Sequence, residues 1–112
     1  MNVIYAPELK QLSEVMPLLE LASARLEIAV TPRYANTVTA EWGKVPDFRD
    51  RPHFRLTIAD EYGSVYSDFS MEELDNSLHM RFRMPRIWGD LLQIRINIQH
   101  AHVESLIGEL TP

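Results

Sequence analysis

Residues 53–74 have the sequence HFRLTIADEYGSVYSDFSMEEL, which contains a complete set of local folding signals. From Phe54 to Ile58, apolar residues alternate with polar or small ones, which is the period-2 pattern of a half-buried strand. Asp60 and Gly63 then bound a tight turn, because Asp favours the first turn position and Gly adopts left-handed backbone angles at little cost. These signals predict a β-hairpin over residues 54–69.

A helix is expected directly after this hairpin. Ser70 and Glu73 have the spacing of a capping box, in which each side chain bonds the backbone N–H of the other residue. Farther along the chain, apolar residues between Val103 and Leu110 recur at helical spacing. They predict a C-terminal amphipathic helix.

The N-terminal third predicts a helix followed by a strand. Pro7 suits the first turn of a helix, and Pro17 is expected to kink the helix or to separate two short ones. We place the end of this helix near Ala24 and predict a strand at 25–30, although a longer helix fits the same residues. A second strand over Val38–Trp42 would pair with it as a hairpin.

Four other segments are less uniform. Residues 79–84 fit a strand and a helix equally well, so the choice stays open. Pro85 either opens a short helix through Leu92, which we favour, or kinks a longer one. The β-branched alternation of Ile94–Ile98 predicts a late strand. Gly, Pro and charged residues at 43–52 predict an exposed loop.

The composition indicates one ordinary globular domain. The chain has 112 residues, of which 46% are hydrophobic and 24% charged. We expect a single α+β domain over residues 1–112. It would contain an antiparallel sheet of about four to five strands, an N-terminal helix, a helix after the 54–69 hairpin and a C-terminal helix.

Charge and cysteine content exclude several classes of chemistry. The net charge of -5 disfavours general nucleic-acid binding, because such affinity comes from Lys and Arg neutralising phosphates. The absence of Cys removes disulfides, thiolate nucleophiles and Cys-ligated metals. With no signal peptide and no apolar run of about 20 residues, we expect a cytoplasmic protein without a membrane partner.

The hairpin register bears on assembly. If the turn takes a three-residue loop with Gly63 in a bulge, Ile58 faces Tyr66, while Val65 and Phe69 lie on the opposite face. Apolar residues on both faces would then need covers. A second copy of the chain would provide one, which predicts a homodimer, and the chain's own two helices are the equal alternative.

One cluster of cations and aromatics is the candidate binding surface. Arginine forms bidentate bonds to carboxylates and phosphates and stacks on aromatic rings. The simpler interpretation is a solvated helix face, in which these cations pair with neighbouring acidic residues. The candidate partner-binding residues are Tyr66, His79, Arg81, Arg83, Arg86 and Trp88.

No residue pattern predicts catalysis or a bound cofactor. The acidic residues have structural roles in turns and helix starts, and no serine lies in a nucleophile elbow. His100 and His102 would share one face of a strand, but without a third ligand we assign no metal site. No glycine-rich phosphate cradle is present, so no cofactor is expected.

These observations favour a non-enzymatic protein-interaction or regulatory module that acts as a homodimer, with itself or an acidic protein as partner. The first alternative is a small anionic-ligand-binding protein or a small enzyme that uses an Arg/His site. The second is single-stranded nucleic-acid binding through the patch Arg81–Arg86.

Overall fold

The computed structural model describes residues 1–48 and 51–110. Within them, four strands form one sheet in the order β1-β2-β3-β4, with β1 parallel to β2 and the other pairs antiparallel. The α+β class is therefore confirmed, but the sheet is mixed. The strands are β1 Asn2–Tyr5, β2 Thr39–Phe48, β3 Arg51–Asp60 and β4 Gly63–Ser70; the helices are α1 Met16–Ala29, α2 Met71–Leu74 and α3 Ser77–Leu110, with 3-10 helices at Pro7–Gln11 and Pro32–Thr37.

Helix α1 is the crossover between the parallel strands β1 and β2. Pro17 lies in its first turn, where a missing N–H leaves no bond unmade, and the 3-10 helix Pro7–Gln11 precedes it, so the predicted alternative of two short helices is the one observed. The predicted strand at 25–30 is wrong. Leu26 is buried on the same helical face as Leu19, whereas Ile28 is 85% exposed. Two parallel neighbours require a crossover of this kind, and β1 gives too short a pattern to predict it.

Strand β2 runs through most of the segment that was predicted to be an exposed loop at 43–52. Lys44 pairs with Phe54, and the register then shifts between Val45 and Phe48, where Pro46 has no N–H to donate. A β-bulge of this kind lets a strand continue past a proline. Residues 49 and 50 lie outside the described residues.

The hairpin between β3 and β4 has a two-residue loop, so the three-residue prediction is wrong. Asp60 pairs with Gly63, and its Oδ1 accepts bonds from the N–H groups of Tyr62 (2.8 Å) and Gly63 (3.2 Å). Ile58 consequently pairs with Val65. The apolar residues of β4 then lie on the same face as those of β3, which removes the sheet-based argument for a homodimer.

The core lies between one face of the sheet and helices α1 and α3. Trp42 and Phe69 pack there with ring centroids 5.9 Å apart. The indole Nε1 of Trp42 donates to Ser23 Oγ (2.8 Å), and the Ser23 hydroxyl donates to the Leu19 carbonyl (2.8 Å). This buried chain of hydrogen bonds ties α1 to β2.

The opposite sheet face is polar. Arg55 donates twice to Asp68, at 2.8 and 3.1 Å, and its guanidinium lies 4.2 Å from the ring centroid of Tyr66. The Tyr66 side chain is 64% exposed. Charged and aromatic groups in this arrangement need no apolar cover.

Helix α3 is continuous from Ser77 to Leu110, so the predicted strand at Ile94–Ile98 and the short helix ending at Leu92 are both wrong. Asn76 caps its start, because Asn76 Oδ1 accepts the His79 N–H at 3.0 Å. The open segment 79–84 is helical. At about 1.5 Å per residue the helix is about 50 Å long, and the molecule measures 61 × 28 × 24 Å. The second half of α3 therefore projects beyond the rest of the molecule.

Candidate protein-interaction surface

The first half of α3 is held on the core by one face. Met80, Met84 and Leu91 are fully buried there, and Trp88 is 5% exposed. The Trp88 Nε1 donates to Thr31 Oγ1 at 3.2 Å. Trp88 therefore stabilises the fold from within and contributes little to the exposed surface.

Arg95 is the last buried anchor of α3. Its Nη2 donates to Asp60 Oδ2 at 3.4 Å and to Thr37 Oγ1 at 3.3 Å. The guanidinium also lies between the rings of Tyr34 and Tyr62, at 4.2 and 4.8 Å from their centroids. Among the described residues, the structure gives Arg95 Nε no hydrogen-bond partner. This contact fixes the middle of α3 to the hairpin turn.

Beyond Arg95, Gln99 Nε2 still donates to Tyr62 OH at 3.4 Å, and the helix then leaves the domain. Every residue from Ile96 to Gly108 is exposed. Several of them are large and apolar: Ile96 is 48% exposed, Val103 51% and Leu106 45%. A helix this apolar and this exposed is typical of a surface that binds another protein.

Most of the large exposed apolar residues of α3 lie along one stripe, and Ile98 and Ile107 lie beside it. Starting at Leu78, successive positions are separated alternately by four and three residues, which is the heptad spacing of helices that pair. We call this stripe the α3 seam. Its members are Leu78, Phe82, Pro85, Gly89, Leu92, Ile96, Gln99, Val103 and Leu106. All are exposed except Leu92, which is partly buried.

The α3 seam is turned away from the core. At about 100° per residue, it lies about 135° around the helix from the buried face that includes Met84 and Leu91. The five large apolar residues that the structure leaves most open along it, including Leu78 (61%) and Phe82 (69%), are accessible to a second helix. The domain can therefore hold one face of α3 while another chain contacts the seam.

The predicted cation cluster is divided by the fold. Arg83 donates to Glu73 Oε2 at 3.4 Å and to Ser67 Oγ, and its guanidinium lies 4.4 Å from the ring centroid of Phe69. His79 Nε2 lies 3.0 Å from Glu73 Oε2 and 3.1 Å from Arg83 Nη1. These two side chains are used within the chain.

Arg81 and Arg86 remain exposed on α3. Arg86 and Arg83 border an open depression of about 510 Å³, which Tyr66 and Asp90 also line. The structure thus brings Tyr66, His79, Arg83 and Arg86 together, and it places Arg81 on another side of the helix. A shallow surface of this kind suits contact with an acidic protein segment.

Glu73 is the centre of the charge network at the start of the helical layer. Burial raises the pKa of its carboxyl, but hydrogen bonds from the Ser70 N–H and hydroxyl, with the charges of His79 and Arg83, lower that pKa below its usual value. The Ser70 N–H donates to Glu73 Oε1 at 3.0 Å, and the Glu73 N–H donates to Ser70 Oγ at 3.1 Å. The predicted capping box is therefore confirmed.

The two distal histidines do not share a face. His100 and His102 lie on α3, where residues two apart are about 200° apart around the axis, so the predicted strand geometry is wrong. His100 Nε2 lies 3.0 Å from Glu104 Oε1. Within residues 1–48 and 51–110, no group of three or more His, Asp or Glu is arranged to hold a metal ion.

No family model, curated protein or solved structure matches this chain. Over the part of the chain that the structure describes, no helix is both long enough and apolar enough to cross a membrane. The sequence reasoning missed the α3 seam, although the spacing signal was present. Pro85, Gly89 and Gln99 occupy three of its positions and interrupt the apolar pattern.

Proposed function

We propose that this protein is a non-enzymatic protein-interaction module that acts as a homodimer through the α3 seam. The observation that supports the proposal is an apolar stripe with heptad spacing on a helix that projects from its own domain. The spacing is that of pairing helices rather than of a pocket for a small ligand. The argument for a dimer therefore rests on the exposed stripe of α3 and no longer on the two faces of the sheet.

The apolar area of the seam is large enough to offset a cost of association in the middle of the usual range. Its five large exposed residues, Leu78, Phe82, Ile96, Val103 and Leu106, are 45% to 69% exposed. Covering a half-exposed side chain of this size stabilises by roughly 1 kcal/mol, so ten such side chains in a pair contribute about 10 kcal/mol. Association costs about 4 to 15 kcal/mol, so we expect a dimer whose population depends on concentration.

The exposed cations give the proposed dimer a second surface. Arg86 and Tyr66 lie beside the 510 Å³ depression and are accessible to a protein partner. Arginine and tyrosine are enriched at protein interfaces, and the guanidinium favours acidic partners. We propose an acidic segment of another protein as the occupant of this surface.

The mass of the protein in solution tests the dimer. Size-exclusion chromatography with light scattering should give about twice the 13.0 kDa chain mass at high concentration and approach 13.0 kDa on dilution. Val103→Glu places a charge in the seam and should give the monomer mass. Ser105→Glu is the matched control, because Ser105 is exposed on the opposite side of the same helix. A wild-type mass of 13.0 kDa at every concentration contradicts the proposal.

A further inference from the structure

We infer that the two copies pair antiparallel along the α3 seam, with Ile96 near the two-fold axis. This inference rests on the proposed homodimer and specifies its interface. In this arrangement, the projecting half of each helix lies along the domain-bound half of the other. Seam residues face seam residues when their numbers add to 188 or 195, so Gly89 of one copy faces Gln99 or Leu106 of the second copy, with Val103 between them.

Charge complementarity favours this direction. The first part of α3, residues 77–90, contains three Arg and one Asp; Arg83 is paired with Glu73 in the same chain, which leaves 2 − 1 = +1. The last part, residues 97–110, contains two Glu and no Lys or Arg, which gives −2. Antiparallel pairing places the positive part of each helix beside the negative part of the other. Parallel pairing would place like charges together, with Arg81 next to Arg86 of the second copy across the seam.

Side-chain size favours the same direction. A Cβ added at Gly89 would meet nothing within 4 Å, so this seam position is open on the side that a second helix would occupy. Parallel pairing would set Gly89 against Gly89 of the second copy and leave a gap. Antiparallel pairing sets it among larger residues, Gln99, Val103 and Leu106, and facing helices pack best when small residues meet large ones.

One feature fits the opposite direction. Ile96 and Val103 alternate with Leu92 and Leu106, and β-branched residues at one heptad position with Leu at the other also occur in parallel two-stranded coiled coils. That composition covers only the projecting half of α3. The charge and Gly89 arguments involve both halves, so they decide the direction proposed.

Disulfide formation between proteins with one Cys substitution each distinguishes antiparallel from parallel pairing. The natural chain has no Cys, so every disulfide observed involves the introduced residues. Gly89→Cys and Val103→Cys are each expected to give no covalent dimer alone. In an antiparallel pair, two Gly89 positions are about 20 Å apart along the axis, beyond the ~7 Å limit between disulfide-linked Cα atoms. A mixture of the two variants, oxidised after subunit exchange, should give a covalent dimer of the mixed composition, read by non-reducing electrophoresis and intact mass.

Two further variants complete the experiment. Ile96→Cys should form a covalent dimer with itself, because both copies of this position lie near the axis. Gly89→Cys mixed with Ser105→Cys should give none, because Ser105 lies on the other side of the helix.

The outcomes distinguish this inference from the proposed function. Parallel pairing would be shown if Gly89→Cys alone and Val103→Cys alone each formed covalent dimers and mixing them produced no dimer of mixed composition. This result would overturn the inference. A dimer mass by light scattering with no cross-link in the mixture or in Ile96→Cys would also overturn it, while the homodimer stands. A monomer mass for the wild type would overturn both.

Discussion

Replacing Arg95 by Met should remove the main polar anchor of α3. The residue Arg95 is 5% exposed, and the side chain of its partner Asp60 is fully buried. Met fills much of the same volume but provides neither charge nor hydrogen-bond donors. The substitution therefore leaves a buried carboxylate without its cation.

Breaking a buried ion pair by removing one partner costs about 3 to 5 kcal/mol. Three details of the structure place the cost of Arg95→Met at the lower end of this range. The Nη2–Oδ2 distance is a long 3.4 Å, Arg95 Nε has no partner among the described residues, and Asp60 keeps the N–H bonds of its turn. We expect a loss of about 3 kcal/mol, which is a large fraction of the roughly 5 to 15 kcal/mol that stabilises a domain.

Urea unfolding followed by tryptophan fluorescence measures this loss, since Trp42 and Trp88 are both buried. The measurement is made in the Val103→Glu background, so that dimer formation does not add to the free energy of unfolding. Adding Asp60→Asn to Arg95→Met should recover about 1 kcal/mol, because it removes the unpaired charge.

Arg86→Met is the matched control, because Arg86 is on the same helix and exposed. It should change the free energy of unfolding by less than about 0.5 kcal/mol. If Arg95→Met differs from this control by less than about 0.5 kcal/mol, the ion pair does not hold α3 and the reasoning is refuted.

Three other substitutions probe the fold. Ser23→Ala leaves the buried indole N–H that it accepts without a partner and should cost about 1 to 3 kcal/mol in urea unfolding; a neutral result would contradict the hydrogen bond. Gly63→Ala puts a Cβ 3.2 Å from Ile94 Cγ2 and should lower the melting temperature, whereas Gly43→Ala, with nothing within 4 Å of its new Cβ, is the steric control. Because the pKa of Glu73 is lowered in the folded state, its contribution to stability is present above the unfolded pKa of about 4.3 and is lost as the pH falls through the folded pKa. Melting curves of the wild type and Glu73→Gln should therefore converge at acidic pH, and a constant difference from pH 6 to 3 would count against this role.

The local signals of the sequence predicted local structure well. Both hydrogen bonds of the Ser70–Glu73 capping box form, and the alternation from Phe54 to Ile58 is a strand with its apolar residues buried. These features depend on residues three or fewer apart. Their energetics are therefore contained in the sequence window that reveals them.

Features that depend on distant partners were not predictable in the same way. Strand β1 is four residues long, and its pairing with β2 depends on an intervening helix. The Ile94–Ile98 segment has strand-like residues, but it continues a helix that Arg95 ties to Asp60, 35 positions earlier. Tertiary contacts of this kind override local propensity.

Only part of the candidate surface could be predicted, because it too depends on residues that are distant in the sequence. The segment 79–84 was left open between strand and helix and lies on α3, and whether a given arginine is free depends on Glu73 and Ser67, which the fold brings to Arg83. Trp88 was named as a candidate partner-binding residue, whereas its indole N–H finds its partner at Thr31. Only the three-dimensional arrangement separates these cases.

The position of Arg95 divides α3 into two thermodynamic parts. Up to Arg95, opening the helix also breaks contacts with the domain, so its backbone amides are protected by the stability of the whole fold. From Ile96 to Gly108 every residue is exposed, and the hydrogen bond from Gln99 Nε2 to Tyr62 OH is a weak tie to the domain, so opening this part costs far less; an isolated helix of about a dozen residues is marginal in water. Hydrogen exchange in this part would therefore be fast in the monomer and slow when a partner helix covers it. The exchange rate of these backbone amides thus shows directly whether a partner helix is bound.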